Sequence, residues 1–389
     1  MLVGPRASGK TTTARRHVAS VVCLDRAAEA GAFEADPDAA LRRLPEPILL
    51  DEWQEVPGVL GAVKRAVDAD ARPGRFILTG SVRAEVEGAT WPATGRVVRW
   101  PVFPLTRREI EGRVGRPTLI ERLYQGDLEA FRPAEGQFDL GDYIDLALVG
   151  GFPGAALRLA GEARRLWLAG YLDEVVHRDT QLVMKGIDTK RFATFLEVEA
   201  WGSAAVTDAK KLIDAAHLDR RTFDAYEELL KRLHLGESVP GWWSSRLTRL
   251  VGAEKRYLVD TSLVATLLNV EVAGVMKDAA ILGRILDSFV AMQLRPEVAL
   301  SGHRPKLYHL RQQEGRHEVD LVIEFGGGKV AAIEVKATAA PAADDARHLA
   351  WLRDRLGDQF VLGLVLHTGP QDFVLGDRLV AAPISTLWN

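Results

Sequence analysis

Four short apolar runs, from Val21 to Asp25, Ile48 to Glu52, Phe76 to Ser81 and Val97 to Phe103, alternate with helical stretches over residues 1 to about 110. Each is continuously apolar, which is how strands read when both faces of a parallel sheet are covered. The expected fold of residues 1–110 is α/β, a doubly wound parallel sheet. From 111 to 190 the pattern turns helical, broken at Gly150-Gly151-Phe152-Pro153 and resumed in an amphipathic stretch from Arg164 to Tyr171; Arg178 and Asp179 read as a solvated face. Residues 191–270 predict short helices and then a β element. A helix from Asp208 to His217, a turn at Leu218-Asp219 and a helix from Arg220 to Leu233, with Phe223, Tyr226, Leu229, Leu230 and Leu233 on one face, lead into a wing from Ser238 to Val259. Residues 271–389 read as a second α/β unit: a helix from Ala280 to Leu294, a β hairpin between Tyr308 and Ala337, a helix from Asp344 to Leu356 and a strand from Phe360 to Leu366.

Length and charge narrow this only slightly. The 389 residues accommodate two or three domains, and a formal net charge of −3 supplies no global basic field, so charge neither supports nor excludes DNA as a partner. Cys23 is the single cysteine, which excludes internal disulfides and a cysteine-built metal site and predicts a buried strand residue. Without a signal-peptide pattern or an apolar run near the roughly 18 residues that span a bilayer, the expected setting is cytoplasmic, with no membrane partner.

Candidate chemistry changes the picture more. Gly4-Pro5-Arg6-Ala7-Ser8-Gly9-Lys10-Thr11 fits G-x-x-x-x-G-K-[ST], with Leu2-Val3 before it and a helix-forming segment from Thr12 after it. Glycines let backbone N–H groups approach phosphate oxygens, Lys10 reaches the β and γ phosphates of ATP, and the Thr11 hydroxyl ligates Mg²⁺. Nucleotide contacts are thus expected from Gly4 to Thr12. Because only Met1-Leu2-Val3 precede Gly4, the leading strand is either unusually short or starts upstream. The run Ile48-Leu49-Leu50-Asp51-Glu52 ends in two carboxylates. Asp51 is expected to hold Mg²⁺ and Glu52 to act as the base on an attacking water, a pairing that favours hydrolysis over phosphoryl transfer to a substrate. Thr79 or Ser81, at the end of a strand expected between these two, would orient that water or cap a turn. Arg96 is a candidate arginine finger or an ordinary strand-edge arginine.

Two further constellations lie downstream. Helix-turn-helix geometry would put Arg220 and Arg221 near the start of a recognition helix, with Lys210 and Lys211 beside the DNA backbone; a packing module or protein-protein adaptor explains the same pattern. Glu318 to Phe325, three glycines and Lys329 to Lys336 form an alternating hairpin. If Phe325 pairs with Lys329, Asp320 faces Glu334 and Glu318 faces Lys336, with Val319, Leu321, Ile323, Ala331, Ile333 and Val335 on the opposite, apolar face. Directly opposed carboxylates ask for a cation. Asp, a turn and Glu-x-Lys is the arrangement of the PD-(D/E)xK nuclease fold, in which two carboxylates hold Mg²⁺ and the lysine serves the attacking water. Asp287, on the preceding helix, would be a further acid, and a cluster neutralised by Lys336 is the alternative.

Taken together, GPRASGKTT at 4–12, ILLDEWQEVP at 48–57, FILTGS at 76–81, TGR at 94–96, VGGFPGA at 149–155, YLVDTSLVATLL at 257–268, HEVDLVIE at 317–324, AIEVKA at 332–337 and PISTLW at 383–388 make the chain resemble a prokaryotic family of AAA-like ATPases that carry a C-terminal domain of unknown function. The resemblance implies an ATPase domain, a winged-helix segment and a restriction-endonuclease-like α/β domain. Position 287 departs from it, being Asp where Glu is expected. The function so implied is a Mg²⁺-dependent ATPase whose turnover acts on a winged-helix and nuclease-like module engaging DNA. The alternatives are a nucleotide-gated interaction protein, with a protein partner and an inactive nuclease fold, and an active Mg²⁺-dependent DNA endonuclease. The oligomeric state is left open.

Overall fold

A computed structural model describes residues 1–80, 95–127, 131, 136–242, 253–312 and 316–389. Five parallel strands form the N-terminal sheet: β1 (Leu2–Val3), β2 (Ser20–Cys23), β3 (Ile48–Asp51), β4 (Phe76–Thr79) and β5 (Trp100–Pro101), in the order β2-β3-β4-β1-β5. Ile48, Leu49 and Leu50 are fully buried, as a strand covered on both faces requires. Cys23 is buried at the end of β2, as its apolar neighbours predict. The two residues of β1 are held from both sides, Leu2 against Thr79 and Trp100 and Val3 against Pro101. The expected strand from Val97 to Phe103 shortens to β5: only beside β1 does it find a ladder partner.

The middle of the chain is helical. Helices Leu119–Gln125, Leu140–Val149, Pro153–Arg158, Gly161–Glu174, Thr189–Gly202, Ala209–Ala215 and Arg220–Arg232 precede an antiparallel pair, β6 (Gly236–Val239) and β7 (Lys255–Leu258). Asp208 and Asp219 set the starts of the last two helices by accepting from the Lys210 and Thr222 amides at 2.9 and 3.0 Å. Helix Ala279–Leu300 then leads into a six-stranded mixed sheet of β8 (Lys306–Gln312), β9 (His317–Glu324), β10 (Val330–Val335), β11 (Phe360–His367), β12 (Phe373–Gly376) and β13 (Leu379–Pro383), ordered β12-β13-β11-β10-β9-β8. Helix Ala279–Leu300 packs on one face and helix Arg347–Leu356 on the other. The first of these cores is shared with the helical middle, whereas the N-terminal sheet has a core of its own.

The β9–β10 register is the expected one: the Phe325 amide donates to the Lys329 carbonyl, and Ile323 pairs with Ala331 and Leu321 with Ile333. The expected apolar face is not complete. Between Tyr308 and Leu310 the β8–β9 register slips by one residue, and Val319 packs with Val322 under helix Arg347–Leu356 instead of with Leu321 and Ile323. A one-residue bulge resets the period-2 alternation, so Asp320 and Leu321 turn toward the Ala279–Leu300 helix together.

Candidate functional site

The loop from Gly4 to Thr11 leaves β1 at the carboxyl edge of the sheet. At Gly4 a Cβ would fall 2.1 Å from the Val102 carbonyl oxygen, so only glycine lets the loop pass that backbone. Lys10 is buried and its Nζ donates to the Gly4 and Pro5 carbonyls at 3.0 and 2.7 Å, curling the loop around the ammonium. Burial lowers this ammonium to about 8, against the upward pull of Glu52 and Asp51, while Arg6 adds to the fall. Ser8 Oγ is buried within the loop and has no hydrogen-bond partner among the described residues. A cationic loop carrying a spare hydroxyl donor suits a phosphate.

Three strands converge on the acidic side. Because β4 lies between β1 and β3, Thr79 sits in register with both Leu2 and Asp51. Thr11 Oγ1 and Thr79 Oγ1 both donate to Asp51 Oδ1, at 2.7 and 2.5 Å. A carboxylate beside a hydroxyl is the hard-oxygen donor set that Mg²⁺ takes when phosphate and water supply its other ligands. Glu52 follows at φ 52° and ψ 47°, the left-handed region in which a residue with a Cβ is uncommon, and this turns it sharply out of β3. Gln54 Nε2 donates to its carboxylate. A Cβ at Gly80 would lie 2.6 Å from Gln54 Oε1, so the end of β4 closes tightly on the residue that holds Glu52.

The helical middle reaches this loop. Arg6 Nη1 pairs with Asp179 Oδ1 at 3.1 Å, and Tyr171 Oη donates to the Arg6 carbonyl at 3.3 Å. Tyr171 in turn stacks on Trp167 and tilts against Phe152. Asp179 is therefore not on a solvated face. It is buried at the end of the π-turn Val175–Asp179, where desolvation raises its carboxyl and Arg6 opposes the rise. Nothing in local periodicity distinguishes Tyr171 or Asp179, because their partner is about 165 residues away in sequence. The Gly151 amide donates to Asp260 Oδ2 at 2.8 Å, so the sequences VGGFPGA and YLVDTSL are two halves of one joint.

Residues 1–111 match the model of the AAA domain family. Residues 140–273 and 282–387 match two further models, each described as a domain of unknown function, DUF8612 and DUF4143. Uncharacterized proteins of Mycobacterium bovis and Mycobacterium tuberculosis are each 25% identical over 401 residues, covering 98% of this chain and 79% of theirs. A Walker-type ATPase of Pyrococcus abyssi aligns with 68% of this chain and 89% of its own at 15% identity and a TM-score of 0.36. The AAA match supports ATP binding and ATPase chemistry in the N-terminal domain.

Of the other expected residues, the structure gathers some and separates others. Within residues 1–111 Thr12 lies exposed in the helix that follows the loop. Arg96 Nε donates to Asp68 Oδ1 at 2.5 Å. Asp68 ends helix Val59–Ala69, which leaves the Asp51 edge and runs back along the sheet, so Arg96 lies at the opposite edge from the phosphate loop and is not placed as an arginine finger in its own chain. Ser81 lies outside the described residues. Lys210, Lys211, Arg220 and Arg221 are exposed, but residues 188–232 hold eight Lys and Arg against nine Asp and Glu, and Arg220 is paired with Asp224 at 2.9 Å. No local basic field develops there. The C-terminal acids do come together, around a cation that sequence reasoning missed: Lys255 of β7 inserts between Asp287 and Asp320, while Lys336 pairs with Glu334 at 2.9 Å.

Proposed function

We propose that the protein is a Mg²⁺-dependent ATPase whose nucleotide state is transmitted to the helical middle of the chain through Arg6. The observation that carries this reading is the convergence of Thr11 and Thr79 on Asp51 beside the Lys10 loop. Lys10 and the loop amides hold the phosphates, with Ser8 as an added donor. Thr11 and Asp51 would hold the cation, which when bound would neutralise charge on the phosphate oxygens. Glu52 accepts the proton of the attacking water as the bond from the γ-phosphorus to the ADP oxygen breaks, and Thr79 keeps the Asp51 carboxylate turned toward Thr11. Glu52→Gln is expected to retain ATP while steady-state turnover falls by about 10² to 10⁴, the usual span for a lost general base. Unchanged turnover would remove Glu52 from this role.

The Arg6–Asp179 pair also favours a second reading, in which ATP binding is a switch and turnover only resets it. DNA as the partner rests on the helix-turn-helix pattern over Asp208 to Leu233, the nuclease-like hairpin and the family resemblance. Turnover that is slow and indifferent to added DNA supports the switch; stimulation by DNA supports a DNA-directed motor.

A further inference from the structure

The C-terminal acids have the residue types of a nuclease metal centre but not its arrangement. Lys255 is 3% exposed; its Nζ contacts Asp287 Oδ2, lies 3.5 Å from Asp320 Oδ1 and donates to the Asp320 carbonyl at 3.3 Å. The remaining oxygens of both acids are also engaged, since Tyr257 Oη donates to Asp287 Oδ1 and the Val335 amide to Asp320 Oδ2, each at 2.9 Å. Among the described residues, no three Asp, Glu, His or Cys side chains gather as a metal-holding group. Burial alone would lower the Lys255 ammonium, yet Asp287, Tyr257 and Asp320 together hold it well above its ordinary value. Burial, reinforced by Asp320, pushes the Glu334 carboxyl up to about 8. Each acid of the cluster thus already has an ammonium beside it, Lys255 against Asp287 and Asp320 and Lys336 against Glu334. A divalent ion would have to expel a buried ammonium already matched to both acids, so these residues do not fit Mg²⁺.

The hairpin bearing Lys255 is fastened independently to the same sheet and, through Arg295, to the Ala279–Leu300 helix packed on it. The His309 amide donates to the Pro240 carbonyl at 3.0 Å, Trp242 Nε1 to Glu324 at 2.8 Å, and Arg295 pairs with Glu237 at 2.5 Å. We infer that the nuclease-like carboxylates are a receptor for the chain's own Lys255, an ionic joint seating the β6–β7 hairpin on the C-terminal sheet, and not a hydrolytic metal centre. This inference is independent of the nucleotide reading.

The test uses the full chain without nucleotide and with Asp51→Asn, so that the phosphate loop contributes no cation site. Calorimetric titration with Mn²⁺ is expected to show no binding that depends on Asp320, and supercoiled plasmid with Mg²⁺ or Mn²⁺ should remain intact. A Mn²⁺ site that disappears on adding Asp320→Asn, or nicking abolished by that change, would overturn the inference. The joint itself is read by hydrogen exchange. Lys255→Met should speed exchange at least tenfold across β6, β7 and β9, and the charge-balanced Lys255→Met with Asp287→Asn should restore most of the protection. Exchange unchanged in Lys255→Met would equally overturn it. Should the single variant not fold, the Mn²⁺ titration still decides.

Discussion

If Lys10 holds the nucleotide phosphates as proposed, its burial should make nucleotide affinity depend on pH. A lysine at its ordinary value stays charged to beyond pH 10, but burial brings this one to about 8 in the free chain. Its charged form is the one that phosphate stabilises, so above pH 8 binding must also restore a proton. The sign follows: a depressed free-state value leaves affinity constant below the window and weakens it as pH rises. One unit above, at about pH 9, only about a tenth of the free chain carries the ammonium, which weakens binding about tenfold, or ~1.4 kcal/mol, relative to pH 7. The assay is a fluorescent ATP-analogue titration at fixed ionic strength and saturating Mg²⁺ from about pH 7 to about pH 9.5. Lys10→Met, titrated at higher ligand concentration, should bind weakly with no slope in this range. A dissociation constant in the parent that does not move between pH 7 and pH 9, or a slope that survives in Lys10→Met, would refute the reasoning.

Two further outcomes follow from buried acids. Asp179→Ala removes the carboxylate that pairs with Arg6; ATP affinity is expected to stay nearly constant while ATP-induced hydrogen-exchange protection over residues 161–183 disappears, and its persistence would exclude Arg6–Asp179 as the link. Glu199 is buried in helix Thr189–Gly202 and desolvation raises its carboxyl from 4.5 to about 7, so the folded chain keeps a proton that the unfolded chain has lost between those values. Stability therefore falls as pH rises through that window, by up to about 3 kcal/mol for this group. Glu199→Gln should be more stable than the parent by up to that amount at pH 8 in urea unfolding, with no advantage at pH 4.5; equal pH dependence in the two proteins would contradict the assignment.

What the sequence made legible was local. The loop from Gly4 to Thr11, the acidic end of β3, the helix starts at Asp208 and Asp219 and the Phe325–Lys329 turn each depend on neighbours within a few positions or on a period that short windows reveal. The order β2-β3-β4-β1-β5 was also partly legible, because a strand ending in Thr79 has an obvious place between the loop and Asp51. The two readings of Arg96 could not be separated in sequence, because TGR carries no information about which edge of the sheet its arginine occupies; the direction of helix Val59–Ala69 favours the ordinary strand-edge arginine. Val319 was misassigned because a bulge leaves no trace in an otherwise alternating strand.

Lys255 exposes a deeper limit. Read along the chain, Asp320, Glu334 and Lys336 form a complete motif, and completeness invites a metal. Charge balance in space follows different rules: a buried acid accepts whichever cation the fold delivers, and β7 delivers an ammonium from a segment that, read alone, looked like the wing of a nucleic-acid module. The same contact bears on both readings at once, since Lys255 and Trp242, at the end of the β6–β7 hairpin next to its connecting loop, are tied to the C-terminal sheet. Under the proposed function, residues 140–389, joined by buried ion pairs and a shared core, would respond to nucleotide as one body, with Arg6 at the Asp179 turn as the contact through which they sense it.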